Sequence, residues 1–436
     1  MSEVMPGVLL EPHAEVRGVE IAPADVGRSA APGPVDLTVP VDGGHDGAWV
    51  QVPPCAGRRS VTLDGRAVPT QPGPAVFQVQ AGQHEVVISI EVSKYERRIA
   101  CGEPVRVGTA RTTVEGLGVL SFPTPYGPAG GGHAVVYVPP GHDLTRPATL
   151  LVGLHPWNGT MWTYAAYSEL LAGARARDLV LLMPSGLGNS LYTADAEDEA
   201  MRAIGALESV VAIDPQRVSI WGASMGGAGA TTVGFHHPDR FASITSFFGD
   251  SKYDLTTYVR GLLHDERGAH QVNALDVVDN ARSVPVLLIH GEDDVTSPIR
   301  QSQMLADAMH AHGFRSEIAR IAGLGHTGTL VARNLSTVID RAATASAPLA
   351  PARVTYRSVR PWDTGAYGVH LRRASPEGDA FVDVELREGA VHVRSADAVR
   401  ELVLDPGALG ADAARPPAIV NDTGHALGAR WAAGAP

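Results

Sequence analysis

Hydrophobic and polar positions follow three different textures along the 436-residue chain. In the first, from Val16 to Thr109, apolar runs are short and alternate with polar residues at 35–39, 48–52, 60–63, 77–80 and 85–92. Glycine and proline separate them. Successive side chains of a strand point to opposite faces of a sheet, so this spacing predicts an antiparallel β-sandwich. Asp64-Gly65 between two such runs is a hairpin signal, because both residues tolerate the left-handed backbone of a two-residue turn.

From Gly116 to Ala345 the runs become apolar nearly throughout, at 133–138, 149–154, 179–183, 218–221, 241–248 and 284–289, with a further strand expected at about 316–321. Helical stretches at 167–177 and 197–211 separate some of them. A strand without a polar face needs cover on both sides, which parallel strands wrapped by helices provide. The texture predicts a doubly wound α/β sheet. From Ala352 to Asp405 the β pattern returns at 354–359, 367–371, 381–386 and 391–394, after an Ala/Pro-rich linker at 347–351. The stretch after Pro416 reads as loose. The expected division is an accessory β domain at 1–109, an α/β domain at 110–345, a small β domain at 352–410 and a tail at 411–436.

The candidate chemistry lies in the middle region. Gly222-Ala223-Ser224-Met225-Gly226 follows an apolar strand and precedes a helix. A strand-to-helix turn this sharp strains the serine backbone, and only glycine leaves room on either side. The helix N-terminus aims its amides at the reacting centre. An inert glycine-rich turn is the bland alternative, and the strand-turn-helix setting argues against it.

A serine hydroxyl needs a base, and the base needs a carboxylate to orient it. After the run at 284–289 comes His290-Gly291-Glu292-Asp293-Asp294, and after 316–321 comes Gly323-Leu324-Gly325-His326. His326 is the expected base and Asp294 the expected acid, with Asp293 next in line and Glu292 adjacent. Other histidines have simpler readings: His236-His237 ends a helix, His310 and His312 lie on an exposed helical face, and His290 supports the acid loop. The amide of Met225 is the first oxyanion donor. The second should come from the loop His155-Pro156-Trp157-Asn158-Gly159. Pro156 has no N–H, which leaves Trp157. Trp162, Tyr164 and Tyr192 fall on loops where they would stack on substrate, although core packing accounts for each equally well. The segment 249–279, beginning with Gly249-Asp250, is expected to cap the pocket, with Asp250 as a substrate contact.

On these residues the stretch 148–342 resembles the α/β-hydrolase superfamily. Within it the chain is similar to feruloyl esterase and polyhydroxybutyrate depolymerase-like esterases and to prolyl oligopeptidase-type catalytic domains. Glu197-Asp198, Asp214-Pro215-Gln216-Arg217-Val218 and His237-Pro238-Asp239-Arg240-Phe241 also carry the likeness. The C-terminal segment, with Val354-Thr355-Tyr356 and Ala366-Tyr367-Gly368, looks like the small β appendage of some multidomain members. The departure is His155-Pro156, where relatives usually have His-Gly. The resemblance implies a mostly parallel sheet flanked by an N-terminal β-sandwich and a small C-terminal β domain. It implies a serine hydrolase acting through a covalent acyl-enzyme. A carboxylic ester, small or polymeric, is favoured over a peptide, since no repeated propeller blades are visible and 1–109 is too short to hold them.

Composition narrows the classes. The net charge of -12 leaves no basic face for nucleic acid, and 44% hydrophobic residues suffice for a large core. Lys94 and Lys252 are the only lysines, and the arginine, alanine and glycine bias indicates GC-rich, bacterial coding. Cys55 and Cys101 either pair or stay as two thiols, and their spacing fits no zinc site. No His/Cys/carboxylate spacing suggests a metal or organic cofactor. No apolar run reaches membrane-spanning length and the start lacks a basic signal-type region, so the expectation is a soluble, cytoplasmic chain, or a secreted one from which a signal has been removed.

Overall fold

Val86 and Ile88 are fully buried while Gln83 and Glu85 are exposed, and this alternation makes Gln83–Glu91 a strand with one wet face. It pairs antiparallel with Pro34–Asp42 on one side and Arg58–Leu63 on the other. Leu63 pairs with Arg66 across Asp64 (φ 50°) and Gly65 (φ 75°), the two-residue turn that the sequence announced. The turn is locked by Asp64, whose carboxylate accepts the Glu85 N–H at 2.8 Å and meets His84 Nδ1 at 2.7 Å. A second antiparallel sheet holds Ala75–Val79, Ala48–Val52 and Arg106–Gly108.

The structure, a computed structural model, describes residues 19–20, 34–45, 47–52, 58–68, 75–91, 98–99, 106–108, 116–126, 131–143, 146–255 and 266–432. Cys55, Cys101 and part of the expected cap segment lie outside these residues. The chain divides into two compact units: Met1–Ala148 with Trp157–Ser190 and Ala194–Ala212, and Thr149–Pro156 with Leu191–Thr193 and Ile213–Pro436.

Besides the two small sheets, the first unit contains Gly116–Pro123, Gly131–Val138 and Leu179–Pro184 in antiparallel array. The first of these strands was not expected, because two glycines and a terminal proline blur its pattern. Helix Asp195–Glu208 buries Ala196, Ala200, Ala203, Ile204 and Leu207 along one stripe, together with Glu197 and Glu199.

The second unit carries the parallel strands Ile213–Ala223, Ser243–Phe247, Val286–Gly291 and Ser316–Ile321. Ser243–Phe247 and Val286–Gly291 are buried at every position, as strands covered on both faces must be. The fold is α/β, a mostly parallel sheet with helices, and β-rich regions precede and follow it. The C-terminal β region has two four-stranded sheets sharing one core, with Val354, Tyr356, Val382, Val384 and Val393 from one and Val369, Leu371, Leu402 and Leu404 from the other. Its buried tyrosines reach the end of the helix Met225–His236: Tyr356 Oη donates to the His236 carbonyl at 3.2 Å and Tyr367 Oη to the Pro238 carbonyl at 2.6 Å.

The expectation of a loose stretch after Pro416 is corrected. Ala418–Asn421 and Gly428–Trp431 each add a parallel strand, beside Ala390–Asp397 and Val399–Leu404 respectively. Main-chain pairing holds them, and main-chain pairing leaves little trace in strands of four residues. Among the described residues no helix is long and apolar enough to cross a membrane.

Candidate active site

The strand Ile213–Ala223 gives way to the helix Met225–His236 with only Ser224 between them. Ser224 has φ 55° and ψ -119°, a strained conformation for a non-glycine residue. Its N–H donates to the Phe247 carbonyl at 2.9 Å, and its own carbonyl accepts the Ala228 N–H at 2.9 Å. The turn is so tight that a Cβ on Gly226 would sit 1.8 Å from the Leu154 carbonyl oxygen, and one on Gly222 would sit 2.3 Å from that of Gly226. No other residue fits either position without moving the backbone.

The turn lifts the Ser224 hydroxyl to 2.7 Å from His326 Nε2, and His326 Nδ1 lies 2.8 Å from Asp294 Oδ2. Asp294 is buried, and its other oxygen accepts the Thr296 and Ser297 amides at 2.9 Å each. Burial alone would raise its pKa. Hydrogen bonds from His290, His326 and the Ser297 amide outweigh that and hold the carboxyl well below the usual carboxylate range. An ionised Asp294 can only accept, so Nδ1 of His326 carries the proton and Nε2 is left to accept from the serine hydroxyl.

The two loops that bring His326 and Asp294 together are zipped by their backbones. Glu292 N–H donates to the Ile321 carbonyl at 3.0 Å and Asp293 N–H to that of Leu324 at 3.1 Å. Asp293 and Glu292 themselves are exposed. His290 supports the acid loop from below, with Nε2 donating to the Ser297 carbonyl and Nδ1 meeting Ser302 Oγ, both at 2.7 Å.

Met225 opens the helix, so its amide has no carbonyl four residues earlier within the helix to bond. The segment ending at Pro156 offers no second donor, because the His155 N–H is given to Tyr192 Oη at 2.9 Å and Pro156 has none. Trp157, the donor expected from the sequence, belongs to the first unit.

The expected substrate contacts have other placements. Trp162 and Tyr164 are buried in the first unit. Tyr192 is fully buried in the second, its ring edge-on to that of His155 with centroids 5.5 Å apart. It holds the loop after Leu154 and presents no open stacking face. Asp250 is buried too, accepting the Ser297 hydroxyl at 2.5 Å, so it braces the acid loop. Sequence reasoning did not single out Ser297, nor Gln301, whose Oε1 accepts the Ser251 and Lys252 amides at 3.1 and 3.0 Å. Their side chains bond Asp250, Ser251 and Lys252, which lie about fifty positions away in the chain.

Residues 189–343 match the profile of the prolyl oligopeptidase family, a span that includes Ser224, Asp294 and His326. No curated protein matches the chain. Among solved structures the chain is similar to an S-formylglutathione hydrolase from Agrobacterium tumefaciens, with 19% identity, a TM-score of 0.48, and 54% of this chain and 97% of that one covered. A ferulic acid esterase is 16% identical with a TM-score of 0.44, covering 52% of this chain and 98% of that one. An acylaminoacyl peptidase from Pyrococcus horikoshii is 16% identical with a TM-score of 0.45, covering 54% of this chain and 43% of that one.

Proposed function

We propose that this chain, a serine hydrolase of the α/β-hydrolase fold, cleaves carboxylic esters through a covalent acyl-enzyme. The observation that carries the proposal is the unbroken run of hydrogen bonds from Ser224 Oγ through His326 to Asp294, at 2.7 and 2.8 Å. Ser224 Oγ attacks the acyl carbonyl as its proton passes to His326 Nε2. The charge that develops on the carbonyl oxygen is stabilised by the Met225 amide and the positive end of its helix. Collapse of the tetrahedral intermediate breaks the ester C–O bond, and the departing alcohol takes the proton back from His326. A water then gives a proton to the same nitrogen and attacks the acyl group, and the second intermediate collapses to release the acid as His326 returns that proton to Ser224 Oγ. Asp294 stays ionised and stabilises the imidazolium throughout.

A peptidase of the prolyl oligopeptidase type is the second reading, favoured by the match over 189–343. Against it stands the region before the sheet. A propeller would show repeated four-stranded blades, and the described strands from Pro34 to Gly108 form one sheet of four and one of three, with Arg98–Ile99 pairing instead with Val19–Glu20. A non-catalytic binding protein on the same fold is the remote third, and an intact serine-histidine-aspartate arrangement opposes it.

Fluorophosphonate labelling tests catalysis directly. Ser224 should be the labelled residue, and Ser224→Ala should lose label and about 10⁴-fold or more of turnover. An unlabelled Ser224 in folded protein would end the enzyme reading. Comparison of p-nitrophenyl acyl esters with peptide anilides separates the first two readings, and a preference for anilides by orders of magnitude overturns the ester assignment.

A further inference from the structure

Phe248 holds a conformation that bulky residues rarely adopt, with φ 39°. Its position in the chain explains how this is sustained. It follows the strand Ser243–Phe247, and its N–H donates to the Ile289 carbonyl at 2.9 Å, which extends the parallel pairing by one more bond. The carbonyl before it, that of Phe247, accepts the Ser224 N–H at 2.9 Å. The backbone on its N-terminal side is therefore fixed both by the neighbouring strand and by the nucleophile turn. The left-handed bend then aims the ring inward, where it is 3% exposed.

The ring meets the base. Its centroid is 4.5 Å from that of His326, with the planes inclined at 56°, and 6.4 Å from that of His290 at 76°. His326 needs such a contact. It lies on a loop with Gly323 and Gly325 before it and Gly328 after it, and its side chain is 21% exposed. Its two hydrogen bonds, to Asp294 and Ser224, act in the plane of the imidazole. Neither resists tilting of the ring out of that plane, and tilting swings Nε2 away from Oγ. An aromatic surface against the imidazole blocks that motion while leaving in-plane movement free, which a base that alternates between serine and leaving group requires.

We propose that Phe248 is a positioning residue: its strained backbone sets an aromatic wall against His326 and keeps Nε2 directed at Ser224. The inference rests on the reading of His326 as the base, and it adds a residue that the mechanism itself does not use.

The test compares Phe248→Leu, which keeps apolar bulk and loses the planar face, with Phe248→Tyr, which keeps the face. Steady-state kinetics on a p-nitrophenyl ester are normalised to sites titrated with a fluorophosphonate, so that any unfolded fraction does not count. Phe248→Leu should lower kcat about 10- to 100-fold with KM changed by no more than about threefold, as expected when the approach geometry of a catalytic group is lost. Phe248→Tyr should recover most of that kcat. The proposal is overturned if Phe248→Leu keeps kcat within about twofold, if only KM moves, or if Phe248→Tyr is as impaired as Phe248→Leu. Failure of the wild type to label at Ser224 overturns the functional reading as well. A labelled, active wild type beside an unimpaired Phe248→Leu overturns this inference alone.

Discussion

Asp294 and Asp293 are adjacent in the chain and opposite in surroundings. Asp294 is buried with Oδ2 2.8 Å from His326 Nδ1, whereas Asp293 is exposed and uses its amide to tie the acid loop to the Leu324 carbonyl. Sequence alone ranked the two without separating them; in the structure the Asp294 side chain meets the His326 ring.

Asparagine substitution should therefore divide the pair. Asp294→Asn keeps the shape but supplies an amide that cannot stabilise the imidazolium, and it favours the wrong histidine tautomer. The expected loss in kcat is about 10³- to 10⁴-fold. Asp293→Asn should stay within about threefold of wild type, since its backbone N–H survives. Kinetics on one ester substrate decide the matter, and a damaging Asp293→Asn beside a harmless Asp294→Asn reverses the assignment.

Ser297 links two buried carboxylates, giving its hydroxyl to Asp250 and its amide to Asp294. Ser297→Ala deletes one donor to Asp250, and a buried polar group that loses a partner costs about 1–3 kcal/mol. The midpoint of chemical denaturation should drop accordingly, with kcat lowered modestly as the acid loop loosens. If Asp250 contacts substrate instead, Asp250→Asn should raise KM with the midpoint unchanged.

Ser224 and Asp294 could be singled out because each follows closely on an apolar run, and His326 because it follows the next expected strand, so the strand pattern points to where such chemistry should stand. The Asp64-Gly65 turn was legible for the same local reason. Tyr192 and Phe248 were not, because their roles arise from partners 37 and 78 positions away in the chain: the His155 amide for one and the His326 ring for the other. The strands after Pro416 escaped notice because four-residue pairings rely on backbone bonds and are too short for a side-chain pattern to stand out.

Tyr192→Phe isolates one of these hidden contacts. The ring still fills the space beside His155 and Gly229, but the buried His155 N–H loses its acceptor. Stability should fall by about 1–3 kcal/mol, and kcat should fall about tenfold as the loop after Leu154 gains freedom. Were Tyr192 a stacking surface for substrate, Tyr192→Phe would leave both quantities nearly unchanged, because the aromatic face is retained.

Glu199 makes a pH-dependent contribution that can be measured apart from catalysis. It is fully buried on helix Asp195–Glu208, accepting the Ser185 hydroxyl at 2.8 Å and the Gly186 N–H at 3.1 Å. Burial raises its pKa from 4.5 to about 7, with the two hydrogen bonds offsetting only part of the rise. The unfolded chain ionises this carboxyl near its ordinary value, while the folded one keeps the proton until about 7. Between those values the native state binds the extra proton, so the contribution of Glu199 to stability is complete below the unfolded pKa and is lost as pH rises through the folded one. A shift of this size corresponds to about 3 kcal/mol across the window. Glu199→Gln stays neutral at every pH, and its amide can accept from Gly186 while donating to the Ser185 oxygen. Denaturation of both proteins from pH 5 to pH 8 should therefore show the glutamine variant gaining on wild type as pH rises. A stability difference that stays flat over that range means that Glu199 does not titrate there.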